Sequence, residues 1–453
     1  GLGIPAEPLF RSSKLLPSER LVETHVLDTL RRTFELHGFS GIETRAVEPL
    51  SALESKGETS KQVYLLERLQ GARQAAADGN QAKEPGPSDL GLHFDLTVPL
   101  ARYILENAND LHFPVRRYQI QKVWRGERPQ EGRFREFTQA DVDVIGSGHL
   151  AFHHDIEVAQ VMLEALTALQ IPPVLMEVNN RRLLQGLLDA AGIEDFEATL
   201  RALDKLDKIG ADGVLEELST VGLSTDQAAT VIRIAKIEAE TPEELREKVR
   251  ALGLENPLAD EGLEELCRLL AGASAVAPGR VKAALRIARG LDYYTGSVYE
   301  TTIPGYESLG SICSGGRYDN LATKGRRTYP GVGLSVGVSR LVSLILSEGL
   351  LEASRPTPSC VFVVVPAEDA RGQSEAIARK LRSRGIPCEL AAKSGKLRTQ
   401  LDAANKRGVP FVWLPGETDQ VKDLRDGSQQ TADAATWVPP ESDRNVQVAP
   451  PVA

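Results

Sequence analysis

The sequence predicts an α+β chain that ends in a separate small α/β domain. Three observations carry that reading. Two β-like runs, 115–124 ("VRRYQIQKVW") and 134–145 ("FREFTQADVDVI"), flank the charged loop "RGERPQEGR" as a long hairpin. Residues from about 180 to 285 turn helical in period, with short glycine-punctuated connections, and read as a helical insertion. After the Pro-rich "EASRPTPS" (352–359), β-like and helix-like stretches alternate as β-α-β-α-β.

The elements follow in order. Leu21, Val22, Val26, Leu27, Leu30 and Phe34 recur at helical spacing over 18–37, and Gly38 closes that helix. "GFSGIETRAVEP" (38–49) reads as a strand closed by proline. Residues 62–69 and 91–98 read as two further strands. The loop between them, 70–89, is rich in Ala, Gly and Pro and offers little to a core. A helix spans 153–170 and stops at Pro172-Pro173. Strands return at 291–303 and 309–316, and 332–347 joins a glycine-spaced strand to an apolar helix. In the last domain, "CVFVVVP" is followed by a helix (368–385), a strand (386–391), a helix (396–407) and the strand "VPFVWLP". The domains are therefore expected at 1–350, interrupted by 180–285, and at 358–453, with a linker at 351–357.

A chain of 453 residues accommodates about three domains at ~150 residues each. With 42% hydrophobic and 26% charged residues it is neither disordered, collagen-like nor a coiled coil. No stretch approaches the ~18 apolar residues of a membrane span, and no secretory signal is visible. Cys267, Cys313, Cys360 and Cys388 are far apart and form no CxxC pair, so a reducing cytoplasm is expected rather than a zinc site or disulfide framework. His153 and His154 are adjacent, and neighbours on a helix are expected to point different ways. A net charge of −10 argues against a generic polyanion binder, while leaving room for local basic faces.

Four constellations carry chemistry. The hairpin loop holds Arg125, Glu127, Arg128 and Arg133, with Arg135 next. Arginine forks donate paired hydrogen bonds to phosphate oxygens. Gln139, Asp141 and Asp143 alternate along the following strand and so share one face, and a buried polar face needs a purpose. "ARGLDYYTGSVYE" (288–300) places Arg289 beside a strand with Asp292, Tyr293 and Tyr294. In "SICSGGRYDNL" (311–321), Gly315-Gly316 lets a backbone approach a ligand. "GVGLSVGVSRL" (331–341) runs small residues up to Arg340 at a helix start. No GxGxxG, P-loop or GxSxG is present.

Together these segments resemble the class II aminoacyl-tRNA synthetases, and more narrowly the histidyl-tRNA synthetase family. "GFSGIETRAVEP" resembles motif 1, "VWRGERPQEGRFREFTQADVDV" motif 2 and "GVGLSVGVSRL" motif 3. "GLDYYTGSVYE" and "SGGRYD" resemble the two histidine signatures, and "FDLTVPLARY" (94–103) the amino-acid-binding segment of eukaryotic-like members. The match runs in order along nearly the whole chain. Three positions depart from the family pattern. Arg45 replaces a proline of motif 1, His93 an arginine before the amino-acid segment, and Ser339 the glutamate before the motif 3 arginine.

The resemblance implies an antiparallel catalytic sheet flanked by helices, a helical insertion, a C-terminal α/β anticodon-binding domain and a homodimer through motif 1. It implies that ATP, accompanied by Mg2+, activates histidine to histidyl-adenylate, and that the histidyl group then passes to histidine tRNA. Arg125 and Arg289 resemble the cations at the reacting groups, with electrostatic stabilisation as the main catalytic effect. Glu127, Arg133, Phe137 and Arg340, with Arg125, resemble the ATP contacts. Asp95, Thr97, Gln139, Asp143, Tyr293 and Tyr294 resemble the histidine site, Asp143 and Tyr294 bracketing the imidazole. Gln130 at the loop tip is expected to meet the tRNA acceptor end. Lys393, Lys396, Arg398, Lys406 and Arg407 are expected on one helical segment facing the anticodon. Two other classes share parts of this pattern. One is a catalytically inactive paralogue that binds an ATP phosphoribosyltransferase and generally lacks the anticodon domain. The other is a synthetase-like RNA-binding module, against which the presence of Arg125, Arg289 and Arg340 speaks.

Overall fold

A computed structural model describes residues 15–53, 62–68, 86, 89–126, 134–287 and 294–451. The chain divides into two compact units, described separately: Leu27–Leu344, and 15–26 with everything from Ile345 on.

The strands of the first unit are β1 (Ser40–Gly41), β2 (Val47–Pro49), β3 (Tyr64–Leu66), β4 (Leu90–Leu92), β5 (Val115–Trp124), β6 (Glu136–Ile145), β7 (Leu175–Asn180), β8 (Glu238–Ala239), β9 (Val281–Ala284), β10 (Ser297–Thr302), β11 (Cys313–Lys324) and β12 (Arg327–Gly337). Nine form one sheet in the order β1-β5-β6-β12-β11-β10-β7-β9-β8, and β2-β4-β3 form a small one. All neighbours in the large sheet are antiparallel except β1–β5 and β7–β9.

The sheet has two unlike faces because its strands alternate. Ala140, Val142 and Val144 of β6 and Val332, Leu334 and Val336 of β12 are buried on one face. The His153–Ala168 helix covers that face. It is tied down where Arg317 pairs with Asp155 at 2.8 Å and the Tyr299 hydroxyl donates to the Asp155 carbonyl at 2.9 Å. The intervening residues point the other way and make a polar face. Its rows are set by register: Arg117, Gln119 and Gln121 lie opposite Asp143, Asp141 and Gln139, which lie opposite Gly333, Ser335 and Gly337.

The insertion runs as six helices between β7 and β9, each but one starting on a side chain that caps it: Asn180, Asp195, Ser224, Thr241 and Asn256 accept from first-turn N–H groups. It is not purely helical. β8 and β9 lie within 180–285 and form one edge of the large sheet. The strand expected over 91–98 stops at Leu92, and Thr97–Asn107 is a helix. The reason is local: Asp95 accepts from the Val98 N–H at 3.2 Å, and Pro99 falls in the first turn, where no N–H is needed. The single strand expected over 38–49 is two, β1 and β2, in different sheets. His153 and His154 do not diverge. Their rings meet at 4.0 Å between centroids.

In the second unit, β13 (Glu352–Ala353) pairs with β19 (Val448–Ala449). β14 (Val361–Val363), β15 (Cys388–Leu390), β16 (Phe411–Leu414), β17 (Gln420–Asp423) and β18 (Gln429–Thr431) form a sheet ordered β15-β14-β16-β17-β18. The first three are parallel, linked by the Arg371–Ser383 and Leu397–Lys406 helices, as the β-α-β-α-β pattern predicts. β17 and β18 extend it as an antiparallel hairpin that the pattern missed, because Gln420–Asp423 and Gln429–Thr431 carry only one buried apolar residue, Val421. Trp413 anchors one side of the core, with its indole N–H donated to Asp419 at 3.1 Å.

Candidate active site

The polar face of the large sheet holds a connected set of buried charges. Arg117 on β5 is completely buried. Its guanidinium lies 2.7 Å from Asp143 and 4.0 Å from Asp141. Asp143 also accepts from the Tyr318 hydroxyl of β11 at 2.6 Å. Glycines make this approach possible. A Cβ at Gly333 would overlap the Asp143 carboxylate, and one at Gly331 would overlap the Tyr318 ring. Tyr294 lies over Gly316, where a Cβ would come within 2.7 Å of its ring, and it adds to the upward pKa shift of Tyr318 that burial and Asp143 begin.

Among the described residues, three acceptor oxygens on this face have no hydrogen-bond partner: Asp95 Oδ2, Gln139 Oε1 and Asp141 Oδ1. Gln139 donates from Nε2 to the Ser335 hydroxyl at 2.6 Å. Burial pushes Asp95 up to about 6, against the pull of Arg125, and Asp141 up to about 7, against the pull of Arg117. Burial also raises Asp143, outweighing the Arg117 cation beside it.

Arg125 stands at the end of β5. Its Nε donates to the Phe94 carbonyl at 3.0 Å, and its guanidinium lies 5.1 Å from the centre of the Phe137 ring. Arg340 lies in the first turn of the Val338–Ser347 helix after β12 and donates to the Ser311 carbonyl at 2.6 Å. Thr97 is the first residue of its helix, two residues past Asp95. Of the expected site residues, Asp95, Arg125, Phe137, Gln139, Asp143 and Tyr294 therefore surround the face or line it, Thr97 follows Asp95 by two residues, and Arg340 follows β12. Glu127, Gln130, Arg133, Arg289 and Tyr293 lie outside the described residues.

Three residues escaped the sequence reading. Arg117, Ser335 and Tyr318 complete the polar network across strands. A signal existed for the first: Arg117, Gln119 and Gln121 alternate just as Gln139, Asp141 and Asp143 do. The departures have local explanations. Ser339 accepts from the Thr138 N–H at 2.9 Å. His93 is buried against Trp124 and bonds the Lys122 carbonyl at 2.7 Å, and burial lowers its pKa. Arg45 lies 3.8 Å from Glu48 and 3.6 Å from Glu106.

The histidyl-tRNA synthetase profile matches residues 12–341 of this chain. The chain belongs to the histidyl-tRNA synthetase family. A profile for the anticodon-binding domain matches residues 360–436. The chain is 54% identical to the histidine–tRNA ligase of Micrococcus luteus over 442 residues, 96% of each chain. The crystal structure of histidyl-tRNA synthetase from Nostoc sp. PCC 7120 superposes with a TM-score of 0.79 at 34% identity, covering 93% of this chain and 95% of that one. A Bacillus halodurans structure described as an ATP phosphoribosyltransferase regulatory subunit/histidyl-tRNA synthetase shares the fold, with a TM-score of 0.70 at 22% identity, covering 88% of this chain and 96% of that one. Family membership makes the chain an aminoacyl-tRNA synthetase, a ligase. Among the described residues no helix is long and apolar enough to cross a membrane.

Proposed function

We propose that the polar face activates histidine with ATP, releasing pyrophosphate, and passes the histidyl group to the 3′-terminal adenosine of histidine tRNA. The observation that carries this is the position of Arg125. One guanidinium borders Phe137 on one side and pulls on Asp95 on the other. A group there can bridge a nucleotide and an amino acid. The first step brings a carboxylate against an α-phosphate, two anions that repel, and a fixed cation between them lowers that barrier. In this reading Arg289 is the second cation. Phe137 and Arg340 hold the adenine, and Glu127 and Arg133 hold the nucleotide's polar edge and phosphates. Asp95, Thr97 and Gln139 take the backbone end of histidine. Asp143, with Tyr293, Tyr294 and Tyr318, takes the imidazole. Gln130 meets the tRNA acceptor end.

Mg2+ enters with the nucleotide in this reading. Asp95, Asp141 and Asp143 are buried, and Arg117 neutralises part of their charge, so they make a poor coordination shell for a divalent metal ion; phosphate oxygens suit it better. The second unit takes the anticodon, two copies of the chain associate through the motif 1 region, and the enzyme works in the cytoplasm. ATP–pyrophosphate exchange with each of the amino acids in turn tests the core of this reading. Exchange is expected with histidine alone. Exchange with none, or equally with several, would sink it.

A further inference from the structure

We propose that Asp141 is a third acceptor for the α-ammonium of the bound amino acid, completing a cage of three oxygens with Asp95 and Gln139. The proposal rests on the reading of this face as the amino-acid site. Asp141 is only 2% exposed, and its Oδ1 has no partner. Its neighbours leave that oxygen unused. Arg117 lies diagonal to it, opposite Asp143 in register, and binds Asp143 at 2.7 Å against 4.0 Å for Asp141. Ser335, opposite Asp141 in register, takes the Gln139 N–H and turns its own hydroxyl to the Asp141 carboxyl, with Oδ1 still unbonded. The side chains of Asp95 and Gln139 are left in the same condition, each with one buried oxygen unbonded.

Three free acceptors define the chemistry of their partner. An ammonium carries three N–H donors and no acceptor, which matches them one for one. A neutral imidazole carries one donor and one acceptor, and its bare nitrogen would face oxygen. The charge agrees. Asp141 sits among Asp95, Asp143, Arg117 and Cys313, and burial holds it near 7 and Asp95 near 6. Both carboxyls are thus partly protonated near neutrality, and an arriving cation favours their ionised forms. Binding the ammonium therefore expels protons from the site.

Two histidine analogues separate the ends of the substrate. Histidinol keeps the ammonium and lacks the carboxylate, whereas 3-(imidazol-4-yl)propionate keeps the carboxylate and lacks the ammonium. Each is titrated as a competitor of histidine-dependent pyrophosphate exchange. Exchange by the unmutated chain comes first. Its absence defeats the underlying reading, whereas its presence isolates the proposal. Asp141→Asn is expected to weaken histidinol about 10-fold or more, the scale of a charge-assisted hydrogen bond, and imidazolepropionate less than about twofold. Asp141→Ser should repeat that ratio, which is internal to each variant and insensitive to a loss of folded protein. Equal weakening of both analogues, or unchanged histidinol, overturns the proposal. Should neither variant fold, calorimetry of the unmutated chain in two buffers near pH 6.5 decides it. Histidinol should release roughly half a proton or more beyond imidazolepropionate once the protons that each ligand's own imidazole gives up, titrated free and bound, are subtracted, because Asp141 contributes most of the protons held by the site. Equal release overturns it.

Discussion

Arg317 and Asp155 show how much a single buried pair can hold. Arg317 donates to both oxygens of Asp155, to the Leu150 carbonyl at 2.9 Å and to Asp319 at 3.2 Å. These bonds fix the His153–Ala168 helix to the sheet. Arg317→Met leaves Asp155 buried without its cation, a change that costs about 3–5 kcal/mol. Urea denaturation should show that loss, and a loss below about 1 kcal/mol would mean that Asp155 escapes to solvent or takes up a proton. The raised pKa values of Asp95 and Asp141 make a second prediction at this scale. Both hold protons more tightly in the folded chain than in the unfolded one, where an aspartate titrates near 3.8. Their contribution to stability therefore increases as pH falls through about 7 and 6, and is fully recovered below the unfolded value. Between pH 8 and 6 the two should add on the order of 1–2 kcal/mol. Asp141→Asn should remove most of that gain, measured as the difference between variant and parent unfolding curves. Parallel curves would mean that Asp141 is already ionised throughout.

Elements meet where glycine lets them. In the insertion, a Cβ at Gly186 would overlap Ala259, and one at Gly262 would overlap the backbone of Leu183. The two glycines lie on the Arg181–Ala190 and Pro257–Ser274 helices and mark their crossing. Two effects compete in Gly262→Ala. Alanine gains about 1 kcal/mol of helix propensity over glycine. The clash, however, is with backbone, which has no rotamer to escape into, and overpacking costs about 1–3 kcal/mol. The clash should win, so the variant is expected to be less stable by urea denaturation. A more stable variant would show that the crossing can widen freely. The same logic made β12 legible in part. Glycine spacing in "GVGLSVG" was visible, but that Gly333 makes room for Asp143 and Gly331 for Tyr318 follows only from the register.

At the scale of the whole molecule, an acidic chain must find a polyanion. The net charge of −10 repels tRNA at long range, so binding depends on local basic faces. Lys393, Lys396, Arg398, Lys406 and Arg407 are all exposed in the second unit. They are less tidily arranged than expected. Lys393 and Lys396 precede the Leu397–Lys406 helix, and Arg407 follows it and pairs with Glu389. Replacing Lys396 and Arg398 by glutamate should raise the KM for tRNA and flatten its log–log salt dependence by about 2, one for each lost phosphate contact. Histidine-dependent exchange should not change. A parent and variant with the same salt slope would remove these two residues from the tRNA interface.

Local pattern determined much of this protein by itself. Alternation placed β5 and β6 within two residues, and showed that Gln139, Asp141 and Asp143 share a face, because side-chain direction in a strand depends only on the count of residues. Helical period and glycine-punctuated connections marked the insertion, and ordered motifs identified the family. Tertiary structure decided what the polar face does. Tyr318 is 175 residues from Asp143 and Ser335 is 196 from Gln139, and no local pattern encodes such partners. Strand pairing brought Arg117 to Asp143 rather than to Asp141, and so selected which carboxylate is neutralised and which keeps an oxygen free. Burial then set their charges, since the energy of a carboxylate depends on the surrounding dielectric and neighbours, which exist only once the sheet has closed.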